Sequence, residues 1–144
     1  MRINFNLMRR LPVLALPLLF FCSCADNTRQ EKSLLNDILK VHDKVMNKDE
    51  LLMKNKSRLD SLLKVPAKDT AEKVNIKGID LRLTAAEEAM ENWMTKFQPD
   101  MTGKSHDEVM KYYAYQKKQV TAIDSQVNVV IKESNQYLST HEIK

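Results

Sequence analysis

The residues of this 144-residue chain best equipped for chemistry are soft donors. His42 and Met46 stand four apart, Met90 and Met94 do the same, and Met110 lies further on. A spacing of four puts both members of a pair on one face of a helix. Imidazole and thioether ligands suit Cu(I), and facing helices of a bundle can hold a metal between them. A turn centred near Lys68 brings His42 opposite Met94 and Met46 opposite Met90. A second turn near Thr102 brings Met94 opposite Met110 and Met90 near Tyr113. His42, Met46, Met90, Trp93, Met94 and Met110 then share one or two layers. Packing is the competing explanation and takes precedence, since methionine fills irregular gaps in helical cores without any ligand. A Met/Trp patch for a partner comes next, and no cofactor or metal is expected. Exposure separates these readings: His42, Met46 and Met94 all buried in apolar contacts argues for packing, whereas a cavity lined by them argues for a ligand.

Other chemistry finds less support. No glycine-rich phosphate loop or HExxH run is present. Glu87, Glu88 and Glu91 fall on the polar face of their helix. An acid/base carboxylate pair needs a cleft that separates the two pKa values, and a helical rod offers little cleft. His106 follows a helix cap, a neutral surface position. The chain is therefore read as not an enzyme.

The elements that must position these side chains are helices. Ile76, Ile79, Leu83, Ala86, Met90, Trp93 and Phe97 alternate at spacings of three and four, so they line one face. This central helix carries the only Trp, and its stripe needs partners to be stable in water. Helix one, about Thr28 to Leu63, repeats the pattern with Leu34, Ile38, Val41, Val45, Leu52, Leu59 and Leu62. Lys48 and Asn55 interrupt it: a seam Asn fixes register, and Lys48 can snorkel to water, while Asn47-Lys48-Asp49 can instead mark a break. Pro66 ends helix one, Asp69-x-x-Glu72 and Ser105-x-x-Glu108 read as caps, and Pro99 and Gly103 mark the second turn. Helix three carries Val109, Tyr113, Gln116, Val120, Ile123, Val127, Val130, Ser134 and Tyr137 on one stripe. The fold class is all-α, an up-down-up antiparallel three-helix bundle with coiled-coil-like packing.

Arg2, Arg9 and Arg10 precede an apolar run, Leu11 to Phe21, that is short for a membrane span. Phe21-Cys22-Ser23-Cys24 follows and resembles the lipobox of bacterial lipoproteins, with Cys24 as the lipidated residue because Ser23 supplies the small side chain before it. The expected organisation is a signal peptide over 1–23, a lipidated Cys and polar tether over 24–32, the bundle over 33–138 and a frayed tail over 139–144. The net charge of +4 falls to +1 once the three signal arginines are removed. That removes the case for nucleic acid, and losing Cys22 and acylating Cys24 leaves no thiol for a disulfide.

These features together resemble a group of short bacterial lipoproteins often labelled "viral A-type inclusion protein". The resemblance rests on the lipobox, VHDKVM over 41–46, AEEAMENWMTKF over 86–97 and a Lys/Gln-rich third helix. Members carry a proline and a small residue soon after the HDxVM segment. Asn47-Lys48-Asp49 stands here instead, which implies a more continuous first helix. The same segment has an echo in Ser105-His-Asp-Glu-Val-Met110, too short to establish a repeat.

The reading is a non-enzymatic lipoprotein of the Gram-negative cell envelope, anchored by its lipid, with the site cluster at the membrane-proximal end and an envelope protein as partner. The candidate contact patch is Trp93, Met94, Tyr112, Tyr113 and Tyr115, side-chain types enriched at interfaces. The alternative is a small-ligand or soft-metal lipoprotein using the His42/Met cluster.

Overall fold

The computed structural model describes residues 22–65 and 70–141, with the side chains of 22–25 left aside. The signal segment over 1–21, the link over 66–69 and the last three residues lie outside them. The described residues form four helices: α1 (Cys22–Met46), α2 (Asp49–Lys64), α3 (Thr70–Lys96) and α4 (His106–Thr140). α1 and α2 make one arm, α3 returns antiparallel to it, and α4 runs parallel to the first arm. The direction is fixed by cross-links at near-constant offset between arm one and α4, including Lys117–Asp37, Lys44–Asp124 and Asn55–Ser134. α3 runs opposite to both, as Lys56–Glu87 and Arg82–Glu133 show. This is the three-arm, up-down-up helical bundle that the heptad spacing predicts. At about 1.5 Å per residue α4 spans roughly 50 Å, so the body is a rod.

The core follows the sequence stripes. Ile38, Val45, Leu52 and Leu59 from the first arm meet Ile76, Ile79, Leu83, Ala86, Met90 and Trp93 from α3. Val109, Tyr113, Val120, Ile123, Val127 and Val130 of α4 close the core. α4 also buries Asp124, Ile131 and Leu138 beside its stripe, because it packs against both other arms and so hides a wider face.

The first arm is not continuous. α1 ends at Met46 and α2 starts at Asp49, which corrects the more continuous helix that the resemblance implies. The Lys48 N–H bonds to the carbonyl of Val45, three residues back, so the chain tightens there before the α-helical bond from Leu52 to Lys48 resumes. Lys48 also does not reach for water: its ammonium is 2.6 Å from both Asp124 Oδ1 and Asn128 Oδ1. Lys44, one turn earlier, is 2.7 Å from the other Asp124 oxygen. The break is thus clamped onto α4 from both sides by one buried carboxylate.

Polar residues on the stripes meet polar partners. Asn55, fully buried, donates to Ser134 Oγ at 2.8 Å and to Asn135 Oδ1 at 2.9 Å. The Trp93 indole N–H donates to Gln116 Oε1 at 2.9 Å. Sliding α4 by one turn would strand all of these groups, so they set register as well as satisfy themselves.

The ends behave as local rules require. Val65 is extended (φ −81°, ψ 144°), the conformation that a following proline imposes. Ser105 and Glu108 form a reciprocal capping box at the start of α4. Gly103 adopts φ +84°, open to glycine at little cost. At the other end α1 already includes the polar stretch before Ser33, and Glu31 pairs with His106 at 2.8 Å. The helical residues before Glu31 therefore reach past the start of α4. Among the described residues, no helix is long and apolar enough to cross a membrane.

Candidate functional site

The antiparallel pairing of arm one with α3 brings His42 onto Met94. The imidazole Nε2 lies 3.2 Å from Met94 Sδ, and the ring centroid is 5.9 Å from that of Trp93. The other ring nitrogen, Nδ1, is 3.0 Å from Asp43 Oδ1. Trp93 is held by its bond to Gln116 below and by Phe97, stacked at 4.8 Å, beside it.

One turn along, Met46, Met90 and Met94 line a groove of about 730 Å³ between arm one and α3. Val45, Leu52, Ala86 and Val127 form its apolar floor, and Met53 extends the thioether wall along α2. Its rim is charged: Asp49, Asp60 and Lys64 on the first arm, Glu91 on α3, and the half-buried Lys56–Glu87 ion pair bridging the two. The hydrogen bond that the Lys56 ammonium donates to Glu87 is the main reason its pKa is held above the ordinary value, against the opposing effect of burial. Close by, burial and then the repulsion of Asp60 push the Asp80 carboxyl up, and its Oδ1 is buried without a hydrogen-bond partner.

Burial within the cluster is uneven. Met90 is 4% exposed and packs in the core, whereas Met46 and Met94 are 38% and 39% exposed and Met53 is 60% exposed. Core filling explains Met90 and leaves the other three open to water. His42 is half-buried. The four methionines line the groove, the arrangement that argues for a ligand or a partner over packing alone, while His42 is outside its lining and meets it only through Met94.

Met110 does not join them. A turn near Thr102 would set it against Met94, but the α3–α4 pairs Trp93–Gln116 and Gln98–Tyr112 centre the turn near residue 105. The connection is lengthened by an Asx turn, in which Asp100 Oδ1 accepts from the Thr102 backbone N–H and hydroxyl, and by Gly103. The residue of α4 facing Met94 thereby moves from 110 to about 115, roughly one and a half helical turns, which carries Met110 past the layer. The shift also places the cluster about ten α4 residues, roughly 15 Å, inward of the α3–α4 turn.

The aromatic candidates divide. Tyr113 is buried and donates its hydroxyl to the Pro99 carbonyl at 2.7 Å. Tyr112 is half-buried, stacks on Phe97, and accepts from the Gln98 N–H. Both pin the turn. Tyr115 is 59% exposed on α4. Trp93 is buried beneath His42, and Met94 alone of the candidate patch opens into the groove. His106, with Glu31 on Nδ1, belongs to the junction of α1 and α4. The Cys24 side chain, expected to be lipidated, lies outside the described residues.

Sequence reasoning missed Met53 and the extent of the groove. The signal was present: Leu39, Met46 and Met53 recur every seven residues and are all exposed, a second stripe flanking the core stripe. Among the described residues no three His, Cys, Asp or Glu gather as a metal-binding group. No protein-family model, curated protein or solved structure matches the chain.

Proposed function

We propose that this protein is a non-enzymatic, lipid-anchored scaffold of the bacterial cell envelope that receives an apolar helix of a partner protein in the groove between its first arm and α3. The observation that carries this reading is the row of exposed thioethers, Met46, Met53 and Met94, along a groove with an apolar floor and a charged rim. Methionine-rich surfaces adapt to different apolar partners, and a groove between helices suits the helix-in-groove mode of recognition. Its first-arm wall runs from Val45 to Lys64, roughly 28 Å, enough for about five turns of a bound helix. Charges of both signs on the rim give such a helix an orientation.

The lipobox at Cys22-Ser23-Cys24 and the resemblance to short bacterial lipoproteins support the envelope location. With Cys24 in the membrane, the α3–α4 turn faces the bilayer and the groove stands further out along the rod. The test replaces Met53 by Glu, which adds charge to an exposed position and leaves the core untouched. A partner that co-purifies with the native protein is expected to be lost from this variant and kept by Val129→Glu, an exposed change on α4 outside the groove. Equal retention by both variants would refute the groove as the binding face.

A further inference from the structure

We propose that His42 and Met94, with Met46 and Met90 behind them, form a binding site for one Cu(I) ion. This assignment does not rest on the partner reading. It begins with the contact between His42 Nε2 and Met94 Sδ at 3.2 Å. Two ligand atoms at about 2.0 Å (nitrogen) and 2.3 Å (sulfur) from one first-row d10 ion stand roughly 3.3 to 3.7 Å apart. The pair therefore needs to open by only a few tenths of an ångström to admit an ion.

The second nitrogen of the ring fixes which lone pair is offered. Asp43 Oδ1 sits 3.0 Å from Nδ1, so the neutral ring donates its Nδ1–H to the carboxylate and turns the bare Nε2 toward sulfur. A carboxylate behind the ring is the usual support of a metal-binding histidine, orienting it and raising its basicity. In that tautomer two lone pairs face each other with no proton between them, and a soft cation is the species that relieves the contact.

The remaining donors are of one chemical kind. Met46 stands one turn from His42, and Met90 one turn from Met94, on facing helices that line the same groove. Thioethers select Cu(I) over Zn(II) and Mg(II). Met46 and Met94 are open to solvent, which gives an ion a way in, and Asp49 and Glu91 line the entry with negative charge. The Trp93 indole, buried with its centroid 5.9 Å from that of the imidazole, is close enough to report on an ion held there.

The experiment titrates the full chain, in detergent micelles under anaerobic conditions, with Cu(I) buffered by a chromophoric chelator and follows Trp93 fluorescence. One ion per chain with quenched emission is expected, and Ag(I), a redox-inert stand-in, should reproduce it. Met94→Leu conserves volume and should weaken binding by at least about tenfold, as should His42→Gln. Asp43→Asn, which acts only through the ring, should weaken it by about tenfold or more. Met110→Leu, outside the layer, should bind as the native chain does. A native chain that retains no Cu(I) against the chelator, or a Met94→Leu chain of unchanged affinity and helix content, would overturn the assignment.

Discussion

Asp124 sits where two opposing effects meet. Burial pushes its pKa up, but hydrogen bonds and attraction from the Lys44 and Lys48 ammoniums outweigh this and hold the carboxyl below its ordinary value. A carboxyl whose pKa is depressed in the folded state stabilises the fold above its unfolded value of about 3.9. That stabilisation is lost as pH falls through the folded value. Asp80, raised first by burial, has the opposite sign: its contribution is present in acid and is lost as pH rises through its folded value. At neutral pH, Asp124→Asn should cost about 1.5 to 3 kcal/mol, because it removes the charge from two ammonium bonds. Urea unfolding at several pH values measures this, and the gap between variant and native chain should close in strong acid. A gap unchanged from neutral to strongly acid pH would mean that the clamp works through shape and not charge. The same residue shows what the sequence hid. Asp124 lies beside Ile123, just off the stripe read as the buried face, and nothing local says that lysines from another helix will cover it.

At the scale of the helices, most of the bundle was legible because period and turn chemistry agreed. The three stripes, the Ser105/Glu108 box and the Gly103 turn all follow from local rules that tertiary packing did not override. Two features could not be decided by local rules: the break in the first arm, which Asn47-Lys48-Asp49 left open, and the α3–α4 register. The arm breaks at Asn47-Lys48, although neither residue forbids helix; the break is favoured by contacts to Asp124 and Asn128, about 80 residues away in the chain. The α3–α4 register shifted because an Asx turn and a glycine lengthened the connection, which moved Met110 out of the layer where simple folding of the sequence puts it. The pairing of His42 with Met94 survived this, since the first turn sets them together as the spacing implies. α3 also contains a residue with little local reason to be there. Gly78 is helical, and a Cβ added to it would meet only the Arg82 side chain at an ordinary 3.5 Å. Gly78→Ala should therefore raise stability by about 0.5 to 1 kcal/mol, seen as a higher denaturation midpoint. A loss of stability would show that the backbone there needs freedom that the helix does not display.

At the scale of the whole molecule, the proposed lipid anchor gives the rod an orientation. α1 reaches past the start of α4 by the helical residues before Glu31, and that end carries Cys24. Cys24→Ala should release the protein from the membrane fraction, whereas Cys22→Ala should leave it retained. The reverse result would move the anchor by two residues, and retention of both variants would remove lipid anchoring from the account. In the oriented rod the methionine groove opens sideways, between arms that are tied to α4 by polar bonds along their length. α4 is thus joined to both other arms, and in the proposed reading a partner enters at the seam between the first arm and α3.

The most direct test of that arrangement is site-specific photo-crosslinking in the native envelope, with the photoreactive residue placed at Met53 in one variant and at Val129 in another. The account predicts one recurrent protein adduct from Met53 that is absent from Val129. Adducts shared equally by both positions, or none from Met53, would contradict a scaffold that binds through its groove.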